Sequence, residues 1–99
     1  MALVAWSPKA LDDVDAIAAY IARDSRAYAA AVVQKIIGVT RSLQQFPLSG
    51  RIVPELNDPA MREKFADNYR VIYRVENDTV TIATVIHGKR QFESDELAD

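Results

Sequence analysis

Two periods run along this chain, one helical and one extended. Leu3-Val4-Ala5-Trp6 is a short apolar run that predicts a strand. Ser7-Pro8 then predicts a helix start. The serine hydroxyl can cap, and proline suits a first turn whose N–H groups lack partners. Leu11, Val14, Ile17, Ala18 and Ile21 recur at helical spacing, which predicts a helix over 8–23. Asp12, Asp13 and Asp15 lie off that stripe, as a solvated face would. Arg23-Asp24-Ser25 interrupts the pattern, and Asp24 or Ser25 can cap a second helix. Tyr28, Val32, Val33, Ile36, Ile37, Thr40, Leu43 and Phe46 line its apolar face, and Pro47 closes it. Alanines crowd the junction, so residues 8–46 read as a close-packed helical hairpin.

Residues 47–60 hold three prolines and a glycine and predict a long loop. A meander follows. Met61–Phe65 is a weak strand, Tyr69–Val75 a strong one, and Thr79–His87 another, rich in β-branched residues. The expected fold is α+β in the order β-α-α-β-β-β. A helical hairpin packs on one face of a small, mostly antiparallel sheet. Residues 1–92 form the single domain, and 93–99 read as a frayed acidic tail.

Strand parity then sorts the side chains. Val80, Ile82, Thr84 and Ile86 form one core set, Tyr69, Val71, Tyr73 and Val75 a second, and Met61 and Phe65 a third. That arrangement puts Arg62, Lys64, Arg70, Arg74 and His87 on the open face, bordered by Arg51, Lys89 and Arg90. The competing readings are a plain solvated face, which antiparallel sheets often have, and arginines that pair inward with Glu63 or Glu55 under cover. Such a face normally mixes charge signs, yet Glu63 is the only acid within these strand spans.

Composition narrows the chemistry. The 99 residues allow one domain, and 49% hydrophobic with 26% charged residues is globular composition. There is no cysteine and one histidine, His87. Disulfides, thiolate metal sites and a zinc centre are excluded, and no cofactor is expected. No apolar run is long enough to span a bilayer, and the N-terminus lacks signal-peptide character, so a cytoplasmic protein without membrane contact is expected. The net charge of -2 is uneven: residues 49–92 hold seven Lys/Arg against six Asp/Glu, while 93–99 hold four acids and no base. A strongly basic nucleic-acid binder would differ, so no specific DNA binding by the chain alone is expected.

The opening strand with Ser7-Pro8, the loop FPLSGRIVPEL (46–56), the segment MREKFADNYRVIYRV (61–75) and TVTIATVIHGKR (79–90) together resemble the RelE/ParE superfamily of toxins of type II toxin–antitoxin systems. The GR-x-VPE loop, the YRVIYRV strand and HGKR resemble the ParE-like, plasmid-stabilisation branch. The resemblance implies a cytoplasmic toxin neutralised by a cognate antitoxin encoded beside it. ParE-like members poison DNA gyrase without chemistry of their own, whereas RelE-like members cut mRNA on the ribosome.

Metal-free RNA cleavage needs a base, an acid and cations for the phosphorane. This chain offers Glu55 as base, Arg62, Arg70 or Arg74 as clamps, and His87 as acid. An aromatic to stack a base is also expected, and only Phe92 follows Tyr73. That incomplete set favours the binding toxin, with Arg51, Arg62, Arg70, Arg74, His87, Lys89 and Arg90 as its target surface. The alternatives are the nuclease and an interaction module without toxicity.

Overall fold

Ser7 sets the geometry of the first third of the chain. Its hydroxyl accepts from the Ala10 N–H at 3.0 Å and donates to the Ala83 carbonyl at 2.9 Å. The same side chain therefore starts the helix Pro8–Ala22 (α1) and ties it to the strand Thr79–His87. Ser25 repeats the cap for Arg26–Ser42 (α2), accepting from Tyr28 N–H at 3.0 Å. In this computed structural model, which describes residues 1–93, α2 ends at Ser42 rather than at 46. Phe46, expected on its apolar face, is instead exposed. The expected tail beyond Glu93 lies outside the described residues.

The strands are β1 (Leu3–Trp6), β2 (Arg51–Ile52), β3 (Met61–Ala66), β4 (Tyr69–Glu76) and β5 (Thr79–His87). They form one sheet in the order β1-β5-β4-β3-β2, parallel only between β1 and β5. The α+β fold holds as expected, with one further strand, the two-residue β2 inside the loop. Two-residue turns join β3 to β4 and β4 to β5. Asp67 and Asn77 adopt left-handed backbone there (φ 56° and 54°), a conformation that Asp and Asn tolerate well.

The hairpin of α1 and α2 covers one face of the sheet. Val32, Ile36 and Leu43 pack against Val71, Tyr73, Val80, Ile82 and Val85, with Trp6, Ile17 and Val75 at the margin. The Tyr73 hydroxyl reaches out of this core to accept from Gly50 N–H at 2.9 Å. A Cβ at Gly50 would sit 2.5 Å from the Glu63 carbonyl, so only glycine fits where the loop crosses β3. A second apolar cluster lies on the opposite face: Val53, Met61, Ile72, Ile86 and Phe92, with Leu56 beside them.

That second cluster corrects two of the expected parities. Met61, Glu63 and Phe65 stand opposite Arg74, Ile72 and Arg70, and so share their face. Arg62 and Lys64 pair with Tyr73 and Val71 and take the helix side instead of the open face. On β5 the register shifts between Ile72 and Tyr73, whose partners are Thr84 and Ile82, leaving Ala83 as an extra residue. Beyond this bulge the alternation flips. Val85 joins the helix-side core and Ile86 the other cluster. His87, paired with Tyr69, leaves the arginine face. Asp13 braces the bulge, its Oδ2 accepting from the Val85 N–H at 3.0 Å and from the Thr84 hydroxyl. It is thus a strand-edge partner and not a solvated residue.

Candidate functional site

The residues expected to form one cationic face fall into three environments. Arg70 lies in the first, only 4% exposed, with Glu63 beside it at 1%. Its guanidinium meets Glu55 as a fork, Nη1 to Oε2 and Nη2 to Oε1, both at 2.8 Å. Its Nε donates to Glu63 Oε1 at 2.8 Å, and Nη2 also reaches that oxygen. Nη1 donates to the Arg90 carbonyl at 3.0 Å. The second Glu63 oxygen accepts from Arg51 Nε. Two arginines and two glutamates therefore close a cluster of zero net charge.

This geometry satisfies every donor of Arg70, as a buried guanidinium requires. Hydrogen bonding to Arg70 holds the Glu55 carboxyl down at about 2 against the opposing effect of burial, and the Phe92 N–H at 2.9 Å adds to it. The same bonds push the Arg70 guanidinium above its ordinary range. The cluster joins four separated segments: the loop through Glu55, β3 through Glu63, β4 through Arg70, and the chain end through Arg90 and Phe92. The ring of Phe92 is buried in the apolar cluster beside it, so it offers no surface for stacking a base.

Arg62 belongs to the second environment. It donates to the carbonyls of Pro59 (3.0 Å), Gly50 (3.1 Å) and Leu48 (3.4 Å), and so it holds the loop. The third environment is the true surface. Arg51 keeps a side chain that is 61% exposed despite its bond to Glu63. It also lies over the Phe65 ring, 5.8 Å from the centroid. Arg74 is half-buried on the open face with no carboxylate within salt-bridge distance among the described residues. Lys89, Arg90 and His87 are exposed at the exit of β5. His87 packs its ring edge-on to Tyr69, 5.6 Å between centroids, on the helix-side face.

The structure thus brings Glu55 and Arg70 together and keeps both away from Arg62 and His87. A base already saturated by a guanidinium, and an acid on the other side of the sheet, do not make an acid–base pair across one phosphate. Pairing of Arg70 with Glu63 was a competing expectation, whereas Glu63 as a hub between two arginines and Phe65 as an exposed ring were not read from the sequence. A lone acid among arginines was the available signal for the hub.

Among the described residues these features define a small protein of two helices and five strands in which ions close one sheet face and Glu55 and Arg70 lie apart from His87. A sequence profile for the family described as "ParE toxin of type II toxin-antitoxin system, parDE" matches residues 4–92, and the chain belongs to that family. It is 36% identical over 90 residues to the Sinorhizobium fredii protein named "Putative toxin Y4kP", covering 90% of this chain and 91% of that one. Among solved structures, the chromosomal ParDE toxin–antitoxin system of P. aeruginosa matches with a TM-score of 0.72 at 26% identity, over 88% of this chain and 96% of that chain. The YoeB dimer of Staphylococcus aureus matches with a TM-score of 0.60 at 18% identity, over 87% and 95%, a likeness of fold. No helix among the described residues is long and apolar enough to cross a membrane.

Proposed function

We propose that this ParE-family toxin stops growth by binding and poisoning DNA gyrase, without cutting mRNA, and that a cognate antitoxin neutralises it. The observation that carries the reading is the state of the would-be nuclease residues. Glu55 and Arg70 are bound to each other under cover, and His87 stands across the sheet against Tyr69. What remains at the surface is suited to recognition. Arg74 and Lys89 present cations with no carboxylate in salt-bridge distance among the described residues, and these can meet acidic groups of a protein target.

The antitoxin's seat is on the helix side of the molecule. Ala18, Ala19, Ala22, Ala29, Ala30 and Val33 line an open apolar groove of about 440 Å³ between the helices. Small side chains there allow an amphipathic helix to approach closely. The cytoplasm is the compartment in which such a pair would meet its target.

The test is induction of the wild type and of His87→Ala in cells, read by a gyrase supercoiling assay and a map of mRNA ends. The expected result is growth arrest with lost supercoiling in both, and no new mRNA ends. Ribosome-dependent mRNA cuts that vanish in His87→Ala would instead establish the nuclease.

A further inference from the structure

The turn after β3 and the exit of β5 enclose a half-open cavity of about 380 Å³, lined by Phe65, Asp67, Asn68, His87, Gly88 and Lys89. Its contents are chemically specific. Phe65 is 49% exposed, a flat ring left at the surface with the Arg51 guanidinium beside it. The wall behind it is tightly built. Gly88 N–H donates to the Asn68 carbonyl at 2.7 Å, and a Cβ on Gly88 would lie 3.0 Å from Phe65 Cε2.

His87 and Lys89 line this space, and neither has a salt-bridge partner among the described residues. His87 Nδ1 accepts from the Lys89 N–H at 3.2 Å, which leaves Nε2 as the ring nitrogen able to donate. The Lys89 ammonium meets no carboxylate among the described residues. Asp67, the one acid in the lining, is already engaged. It accepts from the Tyr28 hydroxyl at 3.0 Å and faces the Lys35 ammonium at 4.0 Å.

A ring for stacking, a neutral amide and two phosphate-type donors in one small cavity are the elements that bind a nucleotide. We infer that this cavity takes a single nucleotide unit. Lys89 and His87 Nε2–H hold the phosphate, Phe65 stacks on the base, and the Asn68 amide meets its edge. The net charge of -2 disfavours a long polyanion, whereas one unit needs only this local field. The site goes beyond the proposed function, because it involves no cleavage and does not depend on gyrase being the target.

Amide NMR spectra of the purified toxin, titrated in parallel with 5′-AMP, adenosine, inorganic phosphate and triglutamate, test the inference. Millimolar 5′-AMP should shift Phe65, Asn68, Gly88 and Lys89, and bind more tightly than the other three. Phe65→Ala and Lys89→Ala change exposed side chains, and each should weaken 5′-AMP by about tenfold with spectra otherwise preserved. A single-stranded pentanucleotide that binds more tightly than 5′-AMP identifies a strand as the source, and equal binding identifies the free nucleotide. Absence of shifts with 5′-AMP, shifts elsewhere, or equal binding of phosphate or triglutamate would overturn the site. Growth arrest is read separately, so that failure would leave the proposed function standing.

Discussion

The two faces of β4 are closed by opposite means. On the helix side, Val71 and Tyr73 meet Val32, Ile36 and Ile82 in a continuous apolar core. On the other side, Ile72 is flanked by Arg70, and a short apolar cluster is completed by Glu55, Glu63, Arg51 and the chain end. The first face sums many weak contacts that tolerate small volume changes. The second depends on a few directional bonds, each of which leaves a buried charge when its partner is lost. With both helices on one sheet face, the loop after α2 and the segment after β5, held by ions, cover the other.

Breaking the second face should give the larger effects. Arg70→Ala leaves Glu63 buried and short of its partner, and should cost about 3–5 kcal/mol. For a domain of this size that lowers the melting temperature by more than about 12 °C. Phe92→Ala removes the ring that fills the same cluster and should cost about 3 kcal/mol, measured by urea unfolding.

Acid should attack this face first. Glu55 titrates at about 2 in the folded chain against an ordinary 4.5, so its contribution is complete above pH 4.5 and is lost as pH falls toward 2. Given its partial exposure that contribution is about 2 kcal/mol. Glu55→Gln should flatten the pH dependence of urea unfolding between those values.

On the helix side, Ser7→Ala removes a cap and a bond to β5 and should cost about 1 kcal/mol. Arg74→Ala sharpens the comparison at its weak end. It shares the face of Arg70, four residues away, but lacks a carboxylate partner among the described residues. Its loss should change stability by no more than about 0.5 kcal/mol. It should instead weaken growth arrest, a loss to be read on induction beside an unchanged melt.

How much was legible follows from locality. The caps at Ser7 and Ser25, both helices and the turns at Asp67 and Asn77 depend on neighbouring residues, and the pattern shows them. The parity of β4 was legible because it is a long strand with a strong alternation. That of β3 was not, since Met61 looked like helix-side core while a second core existed to receive it. The flip at Ala83 was hidden for a different reason. Its partners, Ser7 and Asp13, are more than 70 positions away in sequence. Arg70 and Glu55 were both picked out, first as solvent-facing chemistry with pairing under cover as the competing reading, because the choice depends on how the loop folds over the sheet.

The most direct test of this account is a double-mutant cycle on Arg70→Ala and Glu63→Ala, followed by urea unfolding of the three variants. Each single change leaves the other buried charge short of a partner, Glu63 held only by Arg51 or Arg70 only by Glu55, and the double change removes both members of the pair. The double variant should therefore lose less stability than the sum of the two, by about 1–3 kcal/mol. Additive losses within about 0.5 kcal/mol, with small single effects, would contradict it and return Arg70 to the solvent-facing surface.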